Sequence, residues 1–316
     1  MAAARRSGSV DISTCSGRPW LELISRLAAS LLLIASMLPN LVYMAGRDEA
    51  TAAARRAGGA SETSTRVGEY HIGGYLGAPH THPSDVYIRK PPGTEVLIKD
   101  VPWEGRPFRH PIYYGIRGLA WRSDAFAAML DFTHSKTIPA KDARLTLSGT
   151  RDGKAVPKSA TVGETFRHFE FSHGHNMLAA SAVLRMPAVM PRVRPYFGAG
   201  PGVNLPHTEV QFIDDPVRTY MYQLTGLMAQ ALVGLEVELP GGTVFLEYKF
   251  TFSKYDAPLM NVTTTLAPTD LYQQLRRWMA GRAPEGGWLE TMLASHQVVA
   301  GMTGRVAGGH RMLGSR

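Results

Sequence analysis

The sequence predicts an all-β fold, an eight-stranded antiparallel transmembrane β-barrel with long loops at one rim. Apolar and polar residues alternate along several long segments, and short connections alternate with long ones between them. The chain also opens like an exported protein.

Arg5, Arg6, Arg18 and Arg26 precede an apolar run from Leu27 to Met44, a basic region followed by a hydrophobic one. Pro39 and Asn40 interrupt the run, and no clean Ala-x-Ala site follows it. Residues 1–45 are therefore expected to be an export signal or an uncleaved anchor. Residues 46–68, rich in Ala, Arg, Ser and Thr through Thr65, read as a flexible linker. Residues 69–306 form the expected outer-membrane barrel, and 307–316 a short C-terminal tail.

The clearest strand is Val244–Ser253, where Val244, Leu246, Tyr248, Phe250 and Phe252 share one face. Phe245, Glu247, Lys249, Thr251 and Ser253 share the other, the period-2 pattern of a half-buried strand. Leu227–Leu239 alternates in the same way, and the turn sequence Leu239-Pro240-Gly241-Gly242 joins the two. Further strands are expected near Glu69–Gly77, Pro111–Trp121, Ala125–Lys136, His175–Arg185, Arg194–His207 and His296–Val306, which makes eight. Alternate glycines Gly198, Gly200 and Gly202 suit a curved wall.

Three connections are short: Arg122-Ser123-Asp124, the Pro-rich Met186–Val193, and the Pro-Gly-Gly turn. The other four, around 78–109, 137–174, 208–219 and 256–295, are long. Membrane barrels have short periplasmic turns and long external loops. The strand faces opposite the apolar ones carry Arg117, Asp131, Glu236, Glu238, Glu247 and Lys249. A membrane barrel turns its apolar face to lipid and pairs such charges in the lumen; closure satisfies the backbone. A soluble lipocalin-like barrel is the competing architecture. Within the last long loop, Thr269–Ala280 reads as a short amphipathic helix, for loop packing or contact with a lipid surface.

The net charge of +8 points to an acidic partner. No helix-turn-helix, zinc finger or basic-aromatic run supports nucleic acid, and a phosphorylated lipid suits a barrel. Cys15, the single cysteine, can form no intrachain disulfide. P-loop, dinucleotide and Gly-x-Ser-x-Gly motifs are absent from the sequence. Ser172 beside His173 is a poor hydrolase pair, because adjacent residues rarely orient each other.

Histidines stand out by position. His80, His82, His110, His134, His173, His175 and His207, the last with Glu209, all flank expected strands at the long-loop rim. Imidazoles with a carboxylate can bind a transition metal or move protons. Rim histidines also occur as plain polar loop residues.

The ordered series Gly73-Gly74-Tyr75, Ala78-Pro79-His80, Trp103-Glu104-Gly105 and Tyr113–Gly118 resembles the lipid A oxidase family of rhizobial and related bacteria. Leu130–Lys136, Pro195–Gly200, Pro206–Val210, Glu247–Phe250 and His296–Val299 continue the resemblance, from Glu69 to Val306. It implies an outer-membrane enzyme with molecular oxygen as co-substrate. The reaction converts the proximal glucosamine of 1-dephosphorylated lipid A to 2-aminogluconate and releases hydrogen peroxide. It also implies a monomer contacting lipopolysaccharide and a divalent or redox metal. His80, His134 and His207 are then expected as metal ligands or proton-transfer groups, with Glu209 beside them. Arg117, Asp131, Glu247 and Lys249 would form a lumen network, structural first of all. The chain departs from barrel habit at its end, where Val306 replaces the usual closing aromatic. A non-enzymatic surface barrel, structural or adhesive, is the alternative, and a deacylase would need a lipid-facing Ser/His pair.

Overall fold

The computed structural model describes residues 68–216, 218–260 and 266–307. The expected export segment, the linker up to residue 67 and the tail from residue 308 lie outside the described residues. In chain order the strands begin with β1 (Tyr70–Thr81), β2 (Ser84–Lys90), β3 (Thr94–Val101), β4 (Tyr114–Trp121) and β5 (Phe126–Thr137). They continue with β6 (Arg144–Arg151), β7 (Lys154–Ala155), β8 (Ser159–Thr161), β9 (Phe166–Arg185) and β10 (Val193–Asn204). Last come β11 (His207–Phe212), β12 (Thr219–Tyr222), β13 (Leu227–Leu239), β14 (Gly242–Pro258) and β15 (Trp288–Ala307). Two helices interrupt them, α1 (Val162–Thr165) and α2 (Ala267–Met279).

Eight strands make the wall in the order β1-β4-β5-β9-β10-β13-β14-β15, all antiparallel. Pairing of β15 with β1 closes the ring, from Tyr70 opposite Ala307 to Thr81 opposite Ser295. This is the eight-stranded barrel that the alternation predicts. The short turns gather at one end and the long connections at the other.

The wall is inside-out relative to a soluble barrel. On β5, Leu130 is 55% exposed while its neighbour Asp131 is 1% exposed. Ile72, Leu76, Ile116, Val233 and Met302 are likewise exposed on the outer face. Inside, the charges pair. Arg117 donates to both carboxylate oxygens of Glu247 at 2.9 Å and packs over the Phe245 and Tyr75 rings. Lys249 Nζ donates to Asp131 Oδ2 at 2.5 Å and to the Tyr75 hydroxyl at 2.7 Å, and Tyr196 donates to Glu247 at 2.8 Å. Two cations and two carboxylates thus cancel in a buried interior, which is how buried charge is tolerated. Tyr75 reaches this network by lying across Gly115, where an added Cβ would sit 1.9 Å from the ring.

The long connections are more ordered than the expected loops. β14 and β15 stay paired from Gly242–Gly304 up to Pro258–Trp288, well beyond the lipid belt. β2 adds to the far end of β15, β3 to β2 and β6 to β3. The start of β9, expected only from His175, runs from Phe166 and pairs with β11, which pairs with β12. His207, expected to end the fifth barrel strand, instead opens β11. The resulting cap encloses its own apolar core, with Val86, Ile88, Ile98, Leu145, Phe166 and Leu293 fully buried.

The change of rule is visible within β14. Glu247, Lys249, Thr251 and Ser253 face the lumen, and on the same face Tyr255 and Ala257 enter the cap core. On the opposite face the lipid-facing Tyr248, Phe250 and Phe252 give way to Lys254 and Asp256, both exposed.

Candidate functional site

The site is built on β11, a strand buried along its whole length between β9 and β12. Alternation places His207 and Glu209 on the same face, two residues apart. Both are 0% exposed. Glu209 Oε1 accepts a hydrogen bond from His173 Nδ1 of β9 at 2.8 Å and stands 3.5 Å from His207 Nδ1. Its other oxygen is paired with Arg218 and lies 3.9 Å from His168 Nδ1.

Two tyrosines of β12 frame the imidazoles. The His207 ring meets Tyr220 and Tyr222 edge-on, at 4.1 Å and 4.6 Å between centroids. The Tyr220 hydroxyl lies 3.3 Å from His173 Nε2. Burial, then the nearby Glu209 carboxylate, raise the Tyr220 hydroxyl above the ordinary tyrosine range, so it stays protonated. α2 holds this arm in place: Asp270 Oδ2 accepts the Tyr222 backbone N–H at 3.0 Å.

His173, His207 and Glu209 each offer one ligand atom, all within 4.8 Å of one another. His168, Glu170 and Glu209 form a second, overlapping set. The donor chemistry fits a divalent transition metal, since two imidazoles and one carboxylate are the ligand set of non-haem iron sites. A second feature agrees. Both ring nitrogens of His207 are buried without a hydrogen-bond partner among the described residues. Leaving a buried polar group unpaired costs about 1–3 kcal/mol, a cost that ligation would remove. His173, with its side chain 45% exposed, is the member that opens to the surface.

Of the residues singled out in the sequence, His207 and Glu209 come together here. His134 lies close by on β5, stacked on Tyr114 with ring centroids 5.0 Å apart, its Nδ1 2.7 Å from Asn176 Oδ1. His80 belongs to a different group, packed edge-on against His82, whose Nε2 lies 2.7 Å from that of His296. His175 is buried beside the Tyr255 hydroxyl, and burial brings its imidazole down to about 3, so it is neutral. His110 sits exposed on the connection before β4, and the Ser172 side chain lies outside the described residues. Sequence reasoning placed His173 at the rim without choosing it for the site, and it missed His168, Glu170, Arg218, Tyr220 and Tyr222. The signal for the last two was Tyr220-x-Tyr222 facing His207-x-Glu209 across a hairpin.

A closed antiparallel barrel with an apolar exterior, a charged lumen and long connections at one rim is an outer-membrane β-barrel protein. The chain is similar in fold to Neisserial surface protein A, with 12% identity over 75% of this chain and 97% of that one, at a TM-score of 0.34. It is also similar to Ail, the attachment invasion locus protein of Yersinia pestis (8% identity, 75% and 99% covered, TM-score 0.28). The N-terminal β-barrel domain of Pseudomonas aeruginosa OprF is a third such structure (10% identity, 74% and 98% covered, TM-score 0.26). No protein-family model and no curated protein matches the sequence.

Proposed function

We propose that the protein is an outer-membrane lipid A oxidase that converts the proximal glucosamine of 1-dephosphorylated lipid A to 2-aminogluconate. The observation that carries this reading is the His173–His207–Glu209 set, with His207 buried and neither ring nitrogen hydrogen-bonded among the described residues. Its donor set suits an oxygen-using metal, and the family resemblance supplies the substrate. Removal of the 1-phosphate leaves a hemiacetal carbon bearing one hydrogen. Oxidation breaks that C–H bond and passes two electrons and two protons to oxygen, giving a lactone and hydrogen peroxide; water then opens the lactone. A bound metal would supply the coupling between sugar and oxygen, because oxygen reacts slowly with closed-shell sugars. The chain's own residues divide the remaining work. Arg218 orients Glu209, the two tyrosines fix the His207 ring, and half-exposed His173 would be the member of the set open to the arriving sugar.

Mass spectrometry of lipid A from 1-dephosphorylated cells tests the proposal. Cells carrying the protein are expected to show an oxygen-dependent gain of one oxygen on the proximal sugar. His207→Ala removes that gain and lowers the metal content of the purified barrel.

A second reading, a surface barrel with a structural or adhesive role, is favoured by the cap. It presents a broad folded surface above a lumen filled with paired charges. Unchanged lipid A despite confirmed insertion and oxygen supply leaves that reading standing.

A further inference from the structure

Helix α2 is amphipathic in an unusual sense, because its buried face is the polar one. Asp270 and Gln274 are turned into the protein, where Gln274 accepts the Leu224 N–H at 2.8 Å and donates to the Leu224 carbonyl at 2.9 Å. The other side presents half-buried Leu271 with exposed Tyr272, Leu275, Trp278 and Met279, at positions i, i+1, i+4, i+7 and i+8. Trp278 is 56% exposed and Met279 72% exposed. A helix on a soluble domain does the reverse and buries its apolar stripe.

The position of α2 says what covers that stripe. The residue it clamps, Leu224, is three residues before Leu227, which is 72% exposed at the start of β13 on the lipid-facing side. Three residues span at most about 10 Å. The helix therefore stands within about one headgroup layer of the barrel's apolar belt and continues that established lipid interface. Its last turn carries the exposed Arg276, with the exposed Arg282 just after it, while Arg277 is held by Glu285 at 2.8 Å. Cations flanking Trp and Leu on one helix are the composition of a helix lying at the headgroup–acyl boundary.

We infer that α2 is a membrane-surface helix, seated by Leu275, Trp278 and Met279 in the outer leaflet with Arg276 and Arg282 among anionic lipid phosphates. This holds whether or not the His173–His207–Glu209 set is catalytic, since it rests on α2 and the belt alone.

The test reconstitutes the full chain in phosphatidylcholine–phosphatidylglycerol vesicles with and without lipid brominated near the headgroup end of its acyl chains. Subtracting the emission of the W278F variant isolates the Trp278 indole. The expected difference spectrum is blue-shifted, quenched about twofold or more by the brominated lipid, and shielded from aqueous iodide. Quenching by iodide with indifference to brominated lipid overturns the inference and leaves the stripe in water. Shielding from both that disappears on diluting the protein in lipid also overturns it, and assigns the stripe to a second copy of the chain.

Discussion

The lumen and the cap core are built on the same strands and obey opposite rules. Below Ser253, the inward face of β14 is Glu247 and Lys249 and the outward face is Tyr248 and Phe252; above it, Tyr255 and Ala257 are inside and Lys254 and Asp256 outside. Nothing in the backbone changes at that point, because β14 and β15 stay paired in one register from end to end. What changes is the solvent. In lipid the apolar face gains nothing by turning inward, so the interior can hold charged groups that satisfy one another beside the Tyr75–Phe245 cluster. In water the hydrophobic effect returns, and apolar side chains are driven between the sheets.

The sharpest way to break this contrast is at Asp131. Asp131→Leu strips Lys249 of its carboxylate inside the barrel and is expected to cost about 3–5 kcal/mol. A denaturant titration in vesicles, read by the gel shift between folded and unfolded barrel, measures it. The double variant Asp131→Leu with Lys249→Met removes both charges and should return close to the parent. A double variant as unstable as the single one would mean that the lumen charges do more than cancel.

The next effect separates lipid from water on the outward face. Leu130→Arg, in the belt, is expected to destabilise by about 2–4 kcal/mol in the same titration. In the cap the expected effect is smaller. Ile98→Val removes one methylene from the apolar core, for a loss of about 0.5–1.5 kcal/mol. It should appear as faster amide exchange across residues 84–101 with the barrel's gel shift unchanged. Smallest of all is Met292→Arg, outward-facing like Leu130 but opposite Lys254 above the belt. It should stay within about 0.5 kcal/mol of the parent, and a penalty as large as that of Leu130→Arg would place the membrane boundary higher up β15.

The barrel was legible in the residues because a strand half in lipid and half in a charged lumen has the strongest period-2 signal there is, as in Leu227–Leu239. The cap was not, for reasons its own residues show. Its strands are short and carry few core residues each: Val86 and Ile88 on β2, Val96, Ile98 and Val101 on β3, Leu145 and Leu147 on β6. Two apolar residues at alternate positions are common in loops. In β9 the alternation is broken where Gly174 takes a φ of +137° and the pairing with β5 slips between Ser135 and Thr137, which hides the join between Phe166–Phe171 and the membrane half.

The candidate site divides along the same line. His207 and Glu209 are two apart on one strand, so local alternation alone puts them on one face. His173 joins them only because β9 runs past the membrane and pairs with β11, and His80 is drawn away to His82 and His296 by its place on β1. By itself, then, the sequence determined eight membrane strands, their inner and outer faces, and the rim that gathers the histidines. Period and turn chemistry are local properties, and that is all those features need. Which histidines meet, and that the loops fold into a cap with a core of its own, were decided by the tertiary structure. Both depend on strands remote in sequence finding one another above the lipid, where water again makes burial of apolar side chains favourable.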